Sequence, residues 1–249
     1  MKKFIGIVLT FVVVQILIST NIINSYLQAT LATICINIIL AVSLNLITGF
    51  TGQFSLGHAG FMSIGAYICA LILLRFPTLP GFLAGLLAGA VLAALVGILV
   101  GLPTLRLKGD YLAIATLGMS EIIRVILTNL EITNGAAGLS GIPQFVNWFW
   151  LYLFSAGTVL LLVNFLNSSH GRACISIRED EIAAESVGIP VTRYKVIAFT
   201  VGAFCAGIAG GLYASYFYFL KPGTFGFLKS IDVLVIVVLG GMGSMSGSI

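Results

Sequence analysis

Few residues in this chain are equipped for chemistry, and their placement is unusual. Glu121 and Arg124 stand three residues apart inside the apolar run LAIATLGMSEIIRVILTNL, so a helix carries both on one face. Each charge alone costs about 2.5 to 3.5 kcal/mol at the centre of a bilayer, which makes pairing the expected remedy and turns both toward protein. The pair reads either as a structural ion pair or as a gate and solute contact. His58 lies with Thr51, Gln53 and Ser55 in GFTGQFSLGHAGFMSIGAY, among Gly49, Gly52, Gly57, Gly60 and Gly65, whose spacing follows no single helical period. A lone histidine here is a hydrogen-bonded packing group or a proton relay. Irregular backbone near a membrane survives only under protein or beside a water-filled cavity, so the segment is expected to be a buried bend or a broken helix. Gln53, Ser55, His58, Glu121 and Arg124 are the residues that could line a solute path or gate; the alternative for the glycine-rich piece is a tight turn packed for structure alone. Asp232 reads as interfacial, near the outer end of its span.

The longest hydrophilic stretch is SSHGRACISIREDEIAAESVGIPVTRYK, residues 168–195. Within it EDEIAAESVG predicts a short helix, since Glu179, Asp180 and Glu181 suit an amino end and Gly188 followed by Pro190 suits a stop. Such a helix, with the small pair Ala183 and Ala184, could serve as a docking knob for a cytoplasmic partner. No G-x-x-x-x-G-K-[ST] phosphate loop occurs, nor a nucleophile and base pair, a metal-ligand cluster or a dinucleotide fingerprint. No catalytic, cofactor or metal site is therefore expected, and no nucleic-acid partner. The four cysteines, Cys35, Cys69, Cys174 and Cys205, lack C-x-x-C spacing and read as small packing residues.

The elements that must position these groups follow from composition. Of 249 residues 59% are hydrophobic and 8% charged, with a mean hydropathy of +1.13. A chain so poor in polar side chains cannot cover a globule, and its surface must face lipid. The expected fold is all-α, one polytopic transmembrane bundle over residues 1–249, with about eight spans at 4–20, 28–48, 59–75, 81–102, 111–130, 146–166, 195–219 and 231 to the end. With the amino terminus inside, inner segments hold Lys2, Lys3, Arg106, Lys108, Arg172, Arg178, Arg193 and Lys195, while outer ones hold Arg75, Lys221 and Lys229. The positive-inside rule favours that orientation. The opening MKKFIGIVLTFVVVQILIST also resembles a secretory signal, but no cleavage site follows, so it is read as an uncleaved first helix. The final apolar run stops without a polar tail, which reads as a fragment lacking later helices.

In the fourth span Gly81, Gly85, Gly89, Ala93, Gly97 and Gly101 fall every fourth residue. Small residues at this spacing let helices approach closely in lipid, where apolar burial supplies no association energy, so the stripe reads as a helix interface, with a pore wall as the alternative. Gly207, Gly210 and Gly211 read likewise. TNGAAGLSGIP, residues 133–143, falls in an outer loop as a cover over a solute path or a long turn.

Five segments in order, GFTGQFSLGHAGFMSIGAY, LRLKGDYLAIATLGMSEIIR, NGAAGLSGIP, GRACISIREDEIAAESVGIPVTRYK and VLGGMGS, resemble the branched-chain amino acid ABC transporter permease family, LivM type. The resemblance implies an importer subunit in a prokaryotic cytoplasmic (inner) membrane. Its implied partners are a homologous LivH-type permease, two cytoplasmic ATPases and an extracytoplasmic solute-binding protein. It implies branched-chain amino acids (leucine, isoleucine, valine) or related small polar solutes as cargo. It also matches Glu181, Ala183, Ala184 and Gly188 to the E-x-A-A-x-x-x-G core of the loop by which such permeases dock on their ATPases, making 168–195 a cytoplasmic coupling loop. The family continues past VLGGMGS into further helices, so this sequence is expected to lack them. The other classes are an ion-coupled secondary transporter or channel using Glu121, Arg124 and His58, and a membrane scaffold that moves no solute.

Overall fold

In a computed structural model of the chain, residues 2–20, 23–105, 107 and 109–249 are described, the side chains of residues 2–9 excepted. Arg106 and Lys108, and the side chains of Lys2 and Lys3, lie outside the described residues. The helices are α1 (Lys2–Ser19), α2 (Ser25–Asn45), α3 (His58–Arg75), α4 (Leu79–Thr104), α5 (Asp110–Asn129), α6 (Trp148–Asn167), α7 (Ser169–Glu179), α8 (Glu181–Ser186), α9 (Val191–Phe217) and α10 (Phe227–Gly240). Helix satisfies every backbone group within its own segment, which a chain surrounded by lipid requires.

Six described segments are long and apolar enough to cross a membrane: Ser25–Phe50, His58–Arg75, Leu79–Thr104, Asp110–Asn129, Trp148–Asn167 and Val191–Phe217. The two outermost expected spans differ. The first falls on α1, whose leading side chains are not described. The last, read from residue 231 to the chain end, is instead α10 with 14 residues, about 21 Å at 1.5 Å per residue and short of the roughly 30 Å of hydrocarbon. Gly241 at φ +98° and Gly243 at φ +82° turn the chain out of the helix, in a run that hydropathy alone counts as continuous.

The core is built where α3, α4 and α9 meet, and glycine makes their approach possible. A side chain at Gly89 would start 2.8 Å from the Gly65 carbonyl oxygen, and one at Gly207 would start 2.7 Å from the Ala90 Cα. Gly65 in turn faces the Gly207 backbone, and Gly210 faces the Met62 carbonyl. Along the α4 stripe, Gly85 meets Cys69 of α3, and Gly97 and Gly101 meet Ala203 and Phe199 of α9. Gly81 lies against its own amino-terminal turn, at Phe76 and Thr78, where Thr78 Oγ1 accepts from the Gly81 amide at 3.2 Å. All four cysteines are buried and free.

The bundle has two distinguishable ends. At one, α7 and α8 fold against the start of α9; at the other, Leu139–Ser140 pairs antiparallel with Phe219–Leu220 and ties the long α5–α6 connection to the α9–α10 connection.

Candidate functional site

At the loop end, the hydrophilic stretch folds into α7, α8 and the first turn of α9. Ser168 opens α7, its Oγ accepting from the Gly171 amide at 3.3 Å. Asp180 then caps α8, with Oδ1 accepting from the amides of Ile182 (2.9 Å) and Ala183 (3.0 Å). The helix stops at Gly188, φ +85°, whose amide donates to Glu185 O at 2.9 Å while the Ile189 amide reaches Ala184 O at 3.1 Å. Glu181 pairs with Lys195 of α9 at 2.9 Å and fixes the angle of α8. The faces of this short helix are unequal. Ala184 is buried against Ile177 and Val191, whereas Ile182 and Val187 are 75% and 77% exposed. Ala183, Glu185 and Ser186 share the outward side. Cys174, beneath this layer, has its thiol pushed up to about 11 by burial, an effect that a hydrogen bond from Thr51 partly offsets.

From α7 the arrangement runs inward through Arg178. Its Nη1 donates to Gly49 O at 3.0 Å, and its Nε donates to Glu179 at 3.1 Å. Gly49 belongs to a wider turn, Leu46–Phe50, in which α2 loosens from α-helical to π-helical pairing. The chain then leaves helix for residues 51–57, Gly52 taking φ +71°, and resumes as α3 at His58. Asn45 fastens the end of the chain to this turn: its Oδ1 accepts from the Gly243 amide at 2.9 Å, and its Nδ2 donates to Ser244 O (2.8 Å) and Ser248 Oγ (2.7 Å). Thus α7, the α2 turn and the segment after α10 are joined through backbone groups.

Gln53, Ser55 and His58 are all buried in and beside this segment. Gln53 Nε2 donates to Lys195 O at 3.3 Å, while its Oε1 has no partner among the described residues. Ser55 Oγ receives the Gly57 amide at 3.4 Å. His58 Nε2 lies 2.8 Å from Ser43 Oγ and its Nδ1 is unpartnered among the described residues.

Glu121 and Arg124 lie elsewhere. Arg124 Nε donates to Glu121 Oε1 at 2.8 Å and Nη2 donates to the same oxygen, so the two pair as their spacing requires. They line a cavity of about 510 Å³ with Gly223, Thr224, Gly226 and the first two turns of α10, including Lys229 and Asp232. Lys229 Nζ donates to Asn37 Oδ1 at 3.0 Å, and the Ala59 amide at the start of α3 donates to Ser230 Oγ at 3.2 Å. Asn37 is midway along the Ser25–Phe50 span, and Glu121 is midway along α5. The start of α10 is therefore level with the middle of these two helices, with Phe227, Leu228 and Asp232 exposed there. Gln53, Ser55 and His58 do not line this cavity.

The family described as branched-chain amino acid transport system / permease component matches residues 26–249. The chain belongs to this family. Among curated relatives, the chain is 41% identical over 244 residues to the high-affinity branched-chain amino acid transport system permease protein LivM of Salmonella typhimurium, covering 84% of this chain and 57% of that protein. It is equally similar to LivM of Escherichia coli, and 25% identical over 240 residues to LivH of Salmonella typhimurium, covering 84% of this chain and 76% of the relative. The chain spans a little over half the length of the LivM relatives it matches. No solved structure matches it significantly.

Four groups of this chain escape sequence reasoning. Asn37 and Asn45 were legible as amides inside an apolar span, where an unpaired polar group is costly. Arg178 and Lys229 read from sequence as loop charges, and only the fold shows what each one holds.

Proposed function

We propose that this chain is a membrane-spanning permease subunit of an ATP-binding cassette importer in a prokaryotic cytoplasmic membrane, carrying branched-chain amino acids or close relatives. It would pair with a homologous LivH-type permease, receive solute from an external binding protein and draw energy from two cytoplasmic ATPases. Curated relatives are named as branched-chain amino acid transport permeases, which supports the cargo. The amino terminus and residues 168–195 would lie on the cytoplasmic side.

The observation that carries this reading is α8. A short, capped helix held by the Glu181–Lys195 pair offers Ile182 and Val187 outward, a small apolar knob of the kind that a partner's pocket buries. In the E-x-A-A-x-x-x-G run, Ala183 is on the exposed side, Ala184 lets α8 lie close on α7 and α9, Glu181 sets the angle, and Gly188 supplies the turn. Movement of a docked ATPase would pass from α8 to α7, and through Arg178 to the Gly49 carbonyl and the break between α2 and α3. ATP acts as the ligand that binds the two states unequally, which any ligand must do to shift an equilibrium. Broken helices in transporters offer backbone groups to a path, and the starts of α3 and α10 supply two such ends within the bundle.

The test is uptake in reconstituted vesicles containing the assembled transporter. Leucine accumulates only with ATP on the ATPase side, and Ile182→Glu cuts that uptake by about tenfold or more, as loss of about 1.4 kcal/mol of docking energy requires. Uptake driven by a proton or sodium gradient without the ATPases would contradict the reading and favour an ion-coupled carrier.

A further inference from the structure

We propose that the cavity where α5 meets the amino end of α10 is a station for the zwitterionic head of an α-amino acid. Arg124 and Lys229 face its carboxylate and Glu121 and Asp232 its ammonium. This rests on the transport reading above and names the residues that meet the solute.

The first argument is depth. Lys229 bonds an amide midway along the Ser25–Phe50 span and Glu121 sits midway along α5, so four ionisable side chains line one hollow level with the middle of two apolar helices. Charges there are expensive and mark a water-filled path or solute site rather than ordinary packing. The second is the balance of sign. Two cations and two anions leave a wall of no net charge, matched by a solute carrying one of each; a simple anion or cation would leave one side uncompensated.

The third argument is the capacity left over. Glu121 Oε1 takes both hydrogen bonds from Arg124, which leaves Glu121 Oε2 and Arg124 Nη1 outside the pair. Lys229 gives one hydrogen bond to Asn37, and an ammonium has three donors. Asp232 follows one turn later on the same helix and is exposed. Gly223 and Gly226 bring bare backbone to the wall, and a side chain at Gly226 would start 3.9 Å from Arg124 Cδ, so the guanidinium stem packs on that glycine. Phe227 and Leu228, 44% and 75% exposed beside the charges, offer apolar surface for a branched side chain. At about 510 Å³ the hollow is within the usual size of small-molecule sites.

The experiment compares leucine uptake by the intact transporter carrying Lys229→Met or Asp232→Asn in this chain, with Lys221→Met as control. Lys221 is an exposed lysine of the same connection that does not line the cavity. Each cavity variant should lower uptake by about ten- to a hundredfold, the worth of one charged hydrogen bond, while the subunits still copurify. Lys221→Met should match the unsubstituted protein. Should Lys229→Met fail to assemble, Asp232→Asn decides alone, since that swap keeps the shape of an exposed side chain. Uptake within twofold of the unsubstituted protein in both cavity variants, or in Asp232→Asn when it decides alone, would overturn the station and leave the transport reading standing. A transporter that moves no leucine before substitution would take down the transport reading itself.

Discussion

Asp180 shows how far single residues could be read in advance. An acidic residue before EIAAES predicts a helix start, and the carboxylate caps two amides there. Removing it by Asp180→Ala should cost α8 about 1 kcal/mol, seen as roughly fivefold faster hydrogen exchange at the Ile182 and Ala183 amides. Ala184 was not readable in this way. Sequence places it beside Ala183 in one motif, but a helix turns each successive residue by about 100°, and only the packed structure decides which alanine faces inward. Cys174 makes a third case. With its thiol held up to about 11 by burial, the reactive thiolate is scarce at pH 8 and grows only as pH approaches that value. Alkylation of Cys174 by iodoacetamide at pH 8 should be far slower than that of a free cysteine; equal rates would show that the α7–α9 layer is open.

At the scale of elements, a regular period was legible and depth was not. The four-residue glycine spacing of α4 pointed to a close helix contact, and most of those glycines meet α3 or α9 backbone. At Gly207 of α9 a side chain would start 2.7 Å from the Ala90 Cα of α4. Gly207→Val should therefore lower the melting midpoint of the detergent-solubilised protein by several degrees, in line with about 1 to 3 kcal/mol of overpacking. Gly118→Ala, inside α5 where nothing lies within 4 Å, should not lower the midpoint and should raise it slightly, since alanine is the better helix former. By contrast, the run at α10 reads from sequence as a full span, because hydropathy counts apolar residues without asking where a helix begins, and the helix has 14 residues. Lys229 reaching Asn37 and Asn45 holding Gly243 are contacts across the length of the chain, which no local pattern encodes.

Across the whole molecule, an outward-facing knob at one end is joined through α7 and the α2 turn to the interior of the bundle. Arg178 is the link most open to test, since it alone among the named side chains binds both the α7 end and the Gly49 carbonyl. In the assembled transporter, Arg178→Ala should lower leucine moved per ATP hydrolysed by several-fold, because loss of one charged hydrogen bond of about 1.5 to 3 kcal/mol loosens the connection. The most direct measurement of the central claim uses α8 itself. The native cysteines are buried, so a cysteine placed at the exposed Val187 can be read on its own. Val187→Cys should react with a membrane-impermeant thiol reagent only from the cytoplasmic side, and should cross-link to an ATPase subunit with a yield that changes when ATP is added. Reaction from the external side, or an assembled transporter in which this position never cross-links to an ATPase, would contradict it.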